Sequence, residues 1–224
     1  TEFSGKIITK DSPDYDEFRR VYNANIQRTP ASILMCSNEA DVVAAVKFAK
    51  DASLPTAVRC AGHNGSGHSV CDGGVVIDLS GINYTRVDMT NNTVRVGAGC
   101  KWEDVDNATS PFKKAVPSGV VSSTGVSGLT LGGGHGYITR QYGLTIDNIV
   151  EVDIVLADGS YITASESQNS DIFWGIRGGG GNFGVVTSFL IADCDGEELA
   201  GTVQHLALQE LPGVAEELVL LITS

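Results

Sequence analysis

The chain has 224 residues, of which 42% are hydrophobic, and a formal net charge of −12. This length and composition are sufficient for a buried core in one domain or two small subdomains. The acidic surface repels phosphate backbones and anionic membranes, so we expect neither a nucleic-acid nor a membrane partner.

The first predicted elements in chain order form a βαβ unit. Strands are expected at 31–36, 56–60 and 74–80, with an amphipathic helix between the first two. Ser37 is the expected N-cap of this helix. Five of its apolar residues are expected on the buried face: Val42, Val43, Val46, Phe48 and Ala49. The glycine-rich stretch that follows the second strand lies at a strand end, where ligands commonly bind.

The remaining elements predict mainly antiparallel strands. A hairpin is expected over 84–99 with an Asn-Asn turn, and a second over 149–165 with an Asp-Gly turn. Residues 101–110 predict a short helix between them, and 183–194 a further strand. A new segment, with one strand and one helix, is expected from residue 196 onward. The fold class is therefore α+β.

Glycine is the unusual feature of the composition. The 27 glycines concentrate in three clusters, at 59–74, 119–143 and 177–184. Glycine-rich loops bind anions through backbone N–H groups without lysine or arginine. Three such loops suit one elongated ligand with a pyrophosphate, even in an acidic protein.

The third cluster contains a formal G-x-G-x-x-G match at Gly179, Gly181 and Gly184. A dinucleotide fingerprint of this form must open a helix, whereas a β-branched strand segment follows here. We therefore predict that this match does not indicate the usual NAD-binding fold.

The first cluster also has the spacing of a zinc site. Cys60, His63, His68 and Cys71 provide four ligands of the right types. Against zinc, such small sites fold domains that lack a core, and this chain has the composition for one. A metal site, a plain glycine loop and a cofactor cradle remain open on the residues alone.

Four segments carry a family resemblance. RCAGHNGSGHS, GGVVIDLS, GVVSSTGVSGLTLGGGHGYITRQYGLTIDNI and DIFWGIRGGGGNFGVVTSF occur in this order. They resemble the berberine-bridge-enzyme-like branch of the FAD-linked oxidases, which are flavoproteins of the vanillyl-alcohol-oxidase and p-cresol-methylhydroxylase (PCMH) type. The resemblance covers approximately residues 25 to 195.

The resemblance implies a PCMH-type FAD-binding domain over 25–195, with FAD held between two α+β subdomains. The first subdomain would span about 25–80 and the second about 81–195. Residues 196–224 would begin an incomplete C-terminal substrate domain. Because relatives carry their catalytic base in that domain, no catalytic residue is assigned here.

The resemblance also implies the cofactor site. His63 matches the histidine that bonds covalently to the 8α-methyl group of the flavin, and no metal is expected. The other candidate cofactor-binding residues belong to the three glycine-rich segments: Arg59, Cys60, Ala61, Gly62, Asn64, Gly65, Ser66, Gly67, His68, Ser69, Gly119, Ser123, Thr124, Gly125, Gly128, Leu129, Gly133, Gly134, Asn182, Gly184, Val185 and Val186.

Two positions refine this expectation. Some relatives use a cysteine as a second link to FAD, and Val121 occupies that position here, so a single covalent link is predicted. Val126 matches a position that lines the approach to the reactive edge of the flavin. A small side chain there favours an oxidase over a dehydrogenase.

The resulting function is a flavin-dependent oxidase. It would take a hydride from an alcohol, a sugar or a secondary metabolite, and dioxygen would reoxidise the flavin and leave as hydrogen peroxide. Its partners are then a small-molecule substrate and dioxygen. The alternatives are a dehydrogenase of the same fold, a non-catalytic flavin-binding module and a structural zinc protein. Oligomeric state stays open, as does the compartment, with the cytoplasm slightly favoured over secretion.

Overall fold

A computed structural model describes residues 3–195 of the chain. Its first sheet has four strands in the order β1-β2-β4-β3, and only β1 is antiparallel to its neighbour. The strands are β1 (Lys6–Thr9), β2 (Ser32–Met35), β3 (Thr56–Arg59) and β4 (Val75–Asp78). The predicted βαβ unit is confirmed, with β4 between its two strands. β1 precedes residue 25, the predicted start of the domain, and the predicted segment 196–224 lies outside the described residues.

The crossover helix α2 (Glu39–Asp51) differs from its prediction in two details. Its N-cap is Asn38, whose side chain accepts a hydrogen bond from the Asp41 N–H at 3.0 Å, so the assignment to Ser37 was wrong. Phe48 is 51% exposed, which contradicts the predicted buried face. The face that packs on the sheet instead includes Ala45, because each residue turns the helix by about 100° and Phe48 falls to its side.

The second sheet has five antiparallel strands in the order β5-β6-β10-β8-β9. Both predicted hairpins are confirmed as neighbouring strand pairs. The strands are β5 (Thr85–Asp88), β6 (Thr93–Gly97), β8 (Ile149–Val155), β9 (Tyr161–Ser165) and β10 (Val185–Ala192). Two short strands, β7 (Lys114–Ala115) and β11 (Cys194–Asp195), pair separately where the described chain leaves this sheet.

Five further helices surround the sheets. They are α1 (Tyr15–Phe18), α3 (Trp102–Thr109), α4 (Val126–Leu131), α5 (Thr139–Tyr142) and α6 (Ser170–Gly179). The sequence predicted α3 and missed the other four. Within α6, Arg177 and Gly178 leave helical geometry, and the segment then leads through Gly184 into β10. The G-x-G-x-x-G match therefore precedes a strand, as predicted.

The main core lies between the sheets and their helices. Its largest fully buried side chains include Trp102, Phe189 and Ile154. A smaller apolar cluster, around Ile8 and Ile33, covers the other face of the first sheet. None of the helices within residues 3–195 has the length and apolar character needed to cross a membrane.

Candidate functional site

A cleft of about 900 Å³ is lined by residues from all three glycine clusters. Its walls come from β3, the loop after β3, the start of α4 and the segment that enters β10. The volume is at the upper end of the range of small-molecule sites. The structure thus brings together three segments whose lining residues are up to about 130 positions apart in sequence, as the clustering of glycines predicted.

Fifteen of the predicted site residues line this cleft. They are Cys60, Ala61, Gly62, His63, Asn64, His68, Ser69, Thr124, Gly125, Gly128, Leu129, Asn182, Gly184, Val185 and Val186. Their placement at one cavity is a structural fact, and their contact with a cofactor stays a prediction.

The other predicted site residues lie outside the cleft lining. They are Arg59, Gly65, Ser66, Gly67, Gly119, Ser123, Gly133 and Gly134. Arg59 is buried, and its guanidinium is bound to Asp78 at 2.6 Å and to the Phe18 carbonyl at 2.5 Å. Its side chain is therefore part of the framework under the loop.

Sequence reasoning missed nine residues that line the cleft. They are Thr56, Ala57, Val58, Leu79, Ser127, Leu131, Gly132, Gly180 and Gly181. The three β3 residues had no signal in the sequence, because the apolar pattern of a strand does not show which part of the strand lies at a ligand site. Gly180 and Gly181 belong to the third cluster, whose glycine content was itself the available signal.

The loop after β3 offers unpaired hydrogen-bond donors to the cleft. Within the described part of the chain, the backbone N–H groups of residues 62–66 donate to no protein acceptor. Of these residues, 62–64 line the cleft, whereas Gly65 and Ser66 lie outside its lining. Gly62 has a φ of +71°, a left-handed conformation that turns the backbone of the loop. The buried Ser69 hydroxyl, which also lines the cleft, has no hydrogen-bond partner in the protein. Successive free N–H groups and an unpaired hydroxyl suit a ligand with anionic oxygens.

Gly125 allows the first two loops to approach each other closely. A Cβ atom added there would lie 2.5 Å from the Cys60 Sγ and 2.9 Å from the Ala61 nitrogen. Because real contacts of this kind are longer, any side chain at this position must push the loops apart.

We therefore expect Gly125→Ala to lower the free energy of unfolding by about 1–3 kcal/mol, as overpacking does elsewhere. Gly128→Ala is the matched control, since its added Cβ meets nothing within 4 Å. In the helix α4 that alanine is expected to be neutral or stabilising. Thermal unfolding of both variants checks this, and equal midpoints would contradict the role given to Gly125.

His63 lies half-buried at the cleft wall, with a hydroxyl near each ring nitrogen. The Ser123 Oγ is 3.4 Å from Nε2, and the Thr124 Oγ1 is 3.5 Å from Nδ1. Both hydroxyls come from the second glycine-rich segment. The predicted attachment residue is thus held where two of the three segments meet.

The four zinc-type residues do not form a metal centre. Residues 3–195 contain no group of three or more His, Cys, Asp or Glu side chains placed to hold a metal ion. The Cys60 Sγ instead contacts the Cys100 carbonyl at 3.3 Å. Burial raises the pKa of the Cys60 thiol to about 12.

Val126 is not placed as the sequence analysis expected. Its side chain is fully buried in the core, and its neighbours Gly125 and Ser127 line the cleft instead. Val126 is the first residue of α4, and it belongs to the main core cluster. The argument that its size controls access to the flavin is therefore wrong for this structure.

Comparisons with known proteins agree with this geometry. The model of a family described as FAD binding domain matches residues 30–165. Among solved structures, 6-hydroxy-D-nicotine oxidase from Arthrobacter nicotinovorans has a TM-score of 0.85 and 33% identity, over 87% of this chain and 43% of its own. BBE-like 1 from Physcomitrella patens has a TM-score of 0.84 and 30% identity, over 86% and 43%.

A third similar structure is the glucooligosaccharide oxidase from Acremonium strictum. It has a TM-score of 0.80 and 30% identity, over 85% of this chain and 41% of its own, and is described with a 6-S-cysteinyl, 8α-N1-histidyl FAD. Three curated relatives match at 35–38% identity, and the chain spans 40–43% of their length.

Proposed function

The chain belongs to the FAD-binding domains of the berberine-bridge-enzyme-like FAD-linked oxidases, and from this premise we propose that it forms the cofactor-holding part of a flavin-dependent oxidase. The observation that carries the proposal is the convergence of three glycine-rich segments, with His63 among them, on one cleft. The family match supplies the cofactor class, FAD.

The residues present fit FAD. A pyrophosphate needs several hydrogen-bond donors at one place, and the free N–H groups of residues 62–64 in the cleft lining supply them without a positive side chain. The unpaired Ser69 hydroxyl is a further donor to an anionic oxygen. On the opposite wall, Gly180, Gly181 and Gly184 let the ligand approach the backbone closely.

We further propose a single covalent link between His63 and the flavin. The imidazole reaches the cleft, and a structurally similar oxidase carries a histidyl-linked FAD. That oxidase also carries a cysteinyl link. In this chain the resemblance places Val121 where some relatives carry the cysteine of the second link, and valine cannot form one.

The proposed reaction removes two hydrogens from a small alcohol, sugar or secondary metabolite. When bound, FAD would accept the hydride and pass two electrons to dioxygen, which leaves as hydrogen peroxide. The described residues contribute binding and orientation, because the loops hold the cofactor. No proton-transfer residue is assigned to the described part of the chain.

The full-length protein tests this function directly. Incubated without air with primary alcohols or glucose oligosaccharides, an oxidase is expected to lose its flavin absorbance and regain it when air is admitted. One hydrogen peroxide should appear for each substrate oxidised. A dehydrogenase would stay bleached in air until an artificial acceptor is added, and a binding module would never bleach.

A further inference from the structure

The imidazole of His63 is stacked on the phenol ring of Tyr22. The ring centroids lie 4.3 Å apart, and the ring planes meet at 18°. Such aromatic pairs attract each other beyond the apolar area that they bury. Tyr22 is 71% exposed, so burial in the core does not hold its ring in place.

The backbone near Tyr22 is bound to the loop that carries His63. The Tyr22 N–H donates to the Gly62 carbonyl at 3.1 Å. The side-chain amide of Asn23 donates to the Gly65 carbonyl at 2.8 Å. These two bonds lie one residue before and two residues after His63. The Tyr22 ring is therefore placed against the imidazole by a fixed backbone.

The two hydroxyl contacts of His63 are long. Ser123 and Thr124 lie at 3.4 and 3.5 Å from the ring nitrogens, which is the long limit of hydrogen bonding. At these distances the hydroxyls restrain the ring edge only weakly. The Tyr22 ring contacts the face of the imidazole and so constrains its plane directly.

We propose that Tyr22 is a positioning residue, which holds the His63 imidazole in the plane needed to bond the 8α-methyl carbon of FAD; this rests on the proposed function. One bond forms, between an imidazole nitrogen and the methyl carbon, while one N–H and one C–H bond break. Dioxygen takes up both hydrogens with their two electrons and leaves as hydrogen peroxide. Tyr22 takes no part in these bond changes.

The test measures covalent attachment separately from binding. Full-length wild type, Tyr22→Ala and Tyr22→Phe are prepared without flavin and mixed with FAD in air. Acid-stable flavin is followed over time by fluorescence of the denatured protein, and total bound FAD by absorbance of the native protein. Tyr22→Ala is expected to slow attachment at least about tenfold, with total binding unchanged. Tyr22→Phe keeps the stacked ring and should stay within about threefold of wild type.

Two further variants serve as controls. Tyr137 is a tyrosine of matched exposure, 72%, and it is not the ring that stacks on His63, so Tyr137→Ala should attach FAD at the wild-type rate. Tyr22→Leu keeps an apolar side chain without a ring and covers the case in which Tyr22→Ala does not fold. If Tyr22→Leu attaches FAD as slowly as is expected for Tyr22→Ala, that result supports the proposal.

Three results would overturn it. In the first, Tyr22→Ala attaches FAD at the wild-type rate. In the second, Tyr22→Leu attaches FAD as fast as Tyr22→Phe. Either result would show that Tyr22 has no positioning role, and the proposed function would remain intact. Wild-type protein that never gains acid-stable flavin overturns both the link and the role of Tyr22.

Discussion

His63→Ala is expected to remove all acid-stable flavin from the full-length protein while dissociable FAD still binds. The variant deletes the proposed attachment nitrogen, whereas the free N–H groups of residues 62–64 and the Ser69 hydroxyl remain at the cleft. A denaturing gel soaked in acid and viewed under ultraviolet light measures the covalent part. Absorbance of the native protein measures the dissociable part.

His68→Ala is the matched control for this loss. His68 lies in the same loop and lines the same cleft, but its ring is exposed and lacks the stacked tyrosine. Its replacement should leave the fluorescent band, and peptide mass mapping should place the flavin on residue 63. A band that persists in His63→Ala would show that another side chain carries the link, or that the fluorescence is not covalent flavin.

Elements with local sequence signals were predicted well. The βαβ unit is a run of apolar strands around an amphipathic helix, and each hairpin has a turn dipeptide between alternating residues. Helix α6 was missed because its sequence combines aromatic residues with glycines that resemble a loop. Phe48 was wrongly predicted to be buried, because helical periodicity identifies the apolar face of α2 but does not show how much of that face the neighbouring sheet covers.

The cleft was predictable only in part, for a physical reason. Glycine clusters and the family resemblance indicated its loops, since these are properties of contiguous residues. The contact of Tyr22 with His63 joins residues 41 positions apart and depends on how the N-terminal segment packs. The position of Arg59 depends on the register of β3 against β4, which sets Asp78 beside it. No local pattern encodes either contact.

The Arg59–Asp78 pair leads to the largest expected effect on stability. Both side chains are at most 7% exposed, and their atoms meet at 2.6 Å. The guanidinium also donates to the Phe18 carbonyl, and the Ser80 N–H donates to Asp78 at 2.9 Å. Arg59→Met removes one charge and leaves the other buried, which typically costs about 3–5 kcal/mol. Urea unfolding of the full-length protein should show this loss.

Two comparisons separate this framework role from the cofactor contact that the sequence predicted for Arg59. The double variant Arg59→Met with Asp78→Asn has no buried charge left at the pair and should recover most of the lost stability. Glu103→Gln breaks the exposed Lys101–Glu103 pair and should cost less than about 1 kcal/mol. If Arg59→Met instead unfolds like wild type but binds FAD more weakly, the guanidinium acts on the cofactor. In that case the Asp78 contact would have to open when FAD enters the cleft.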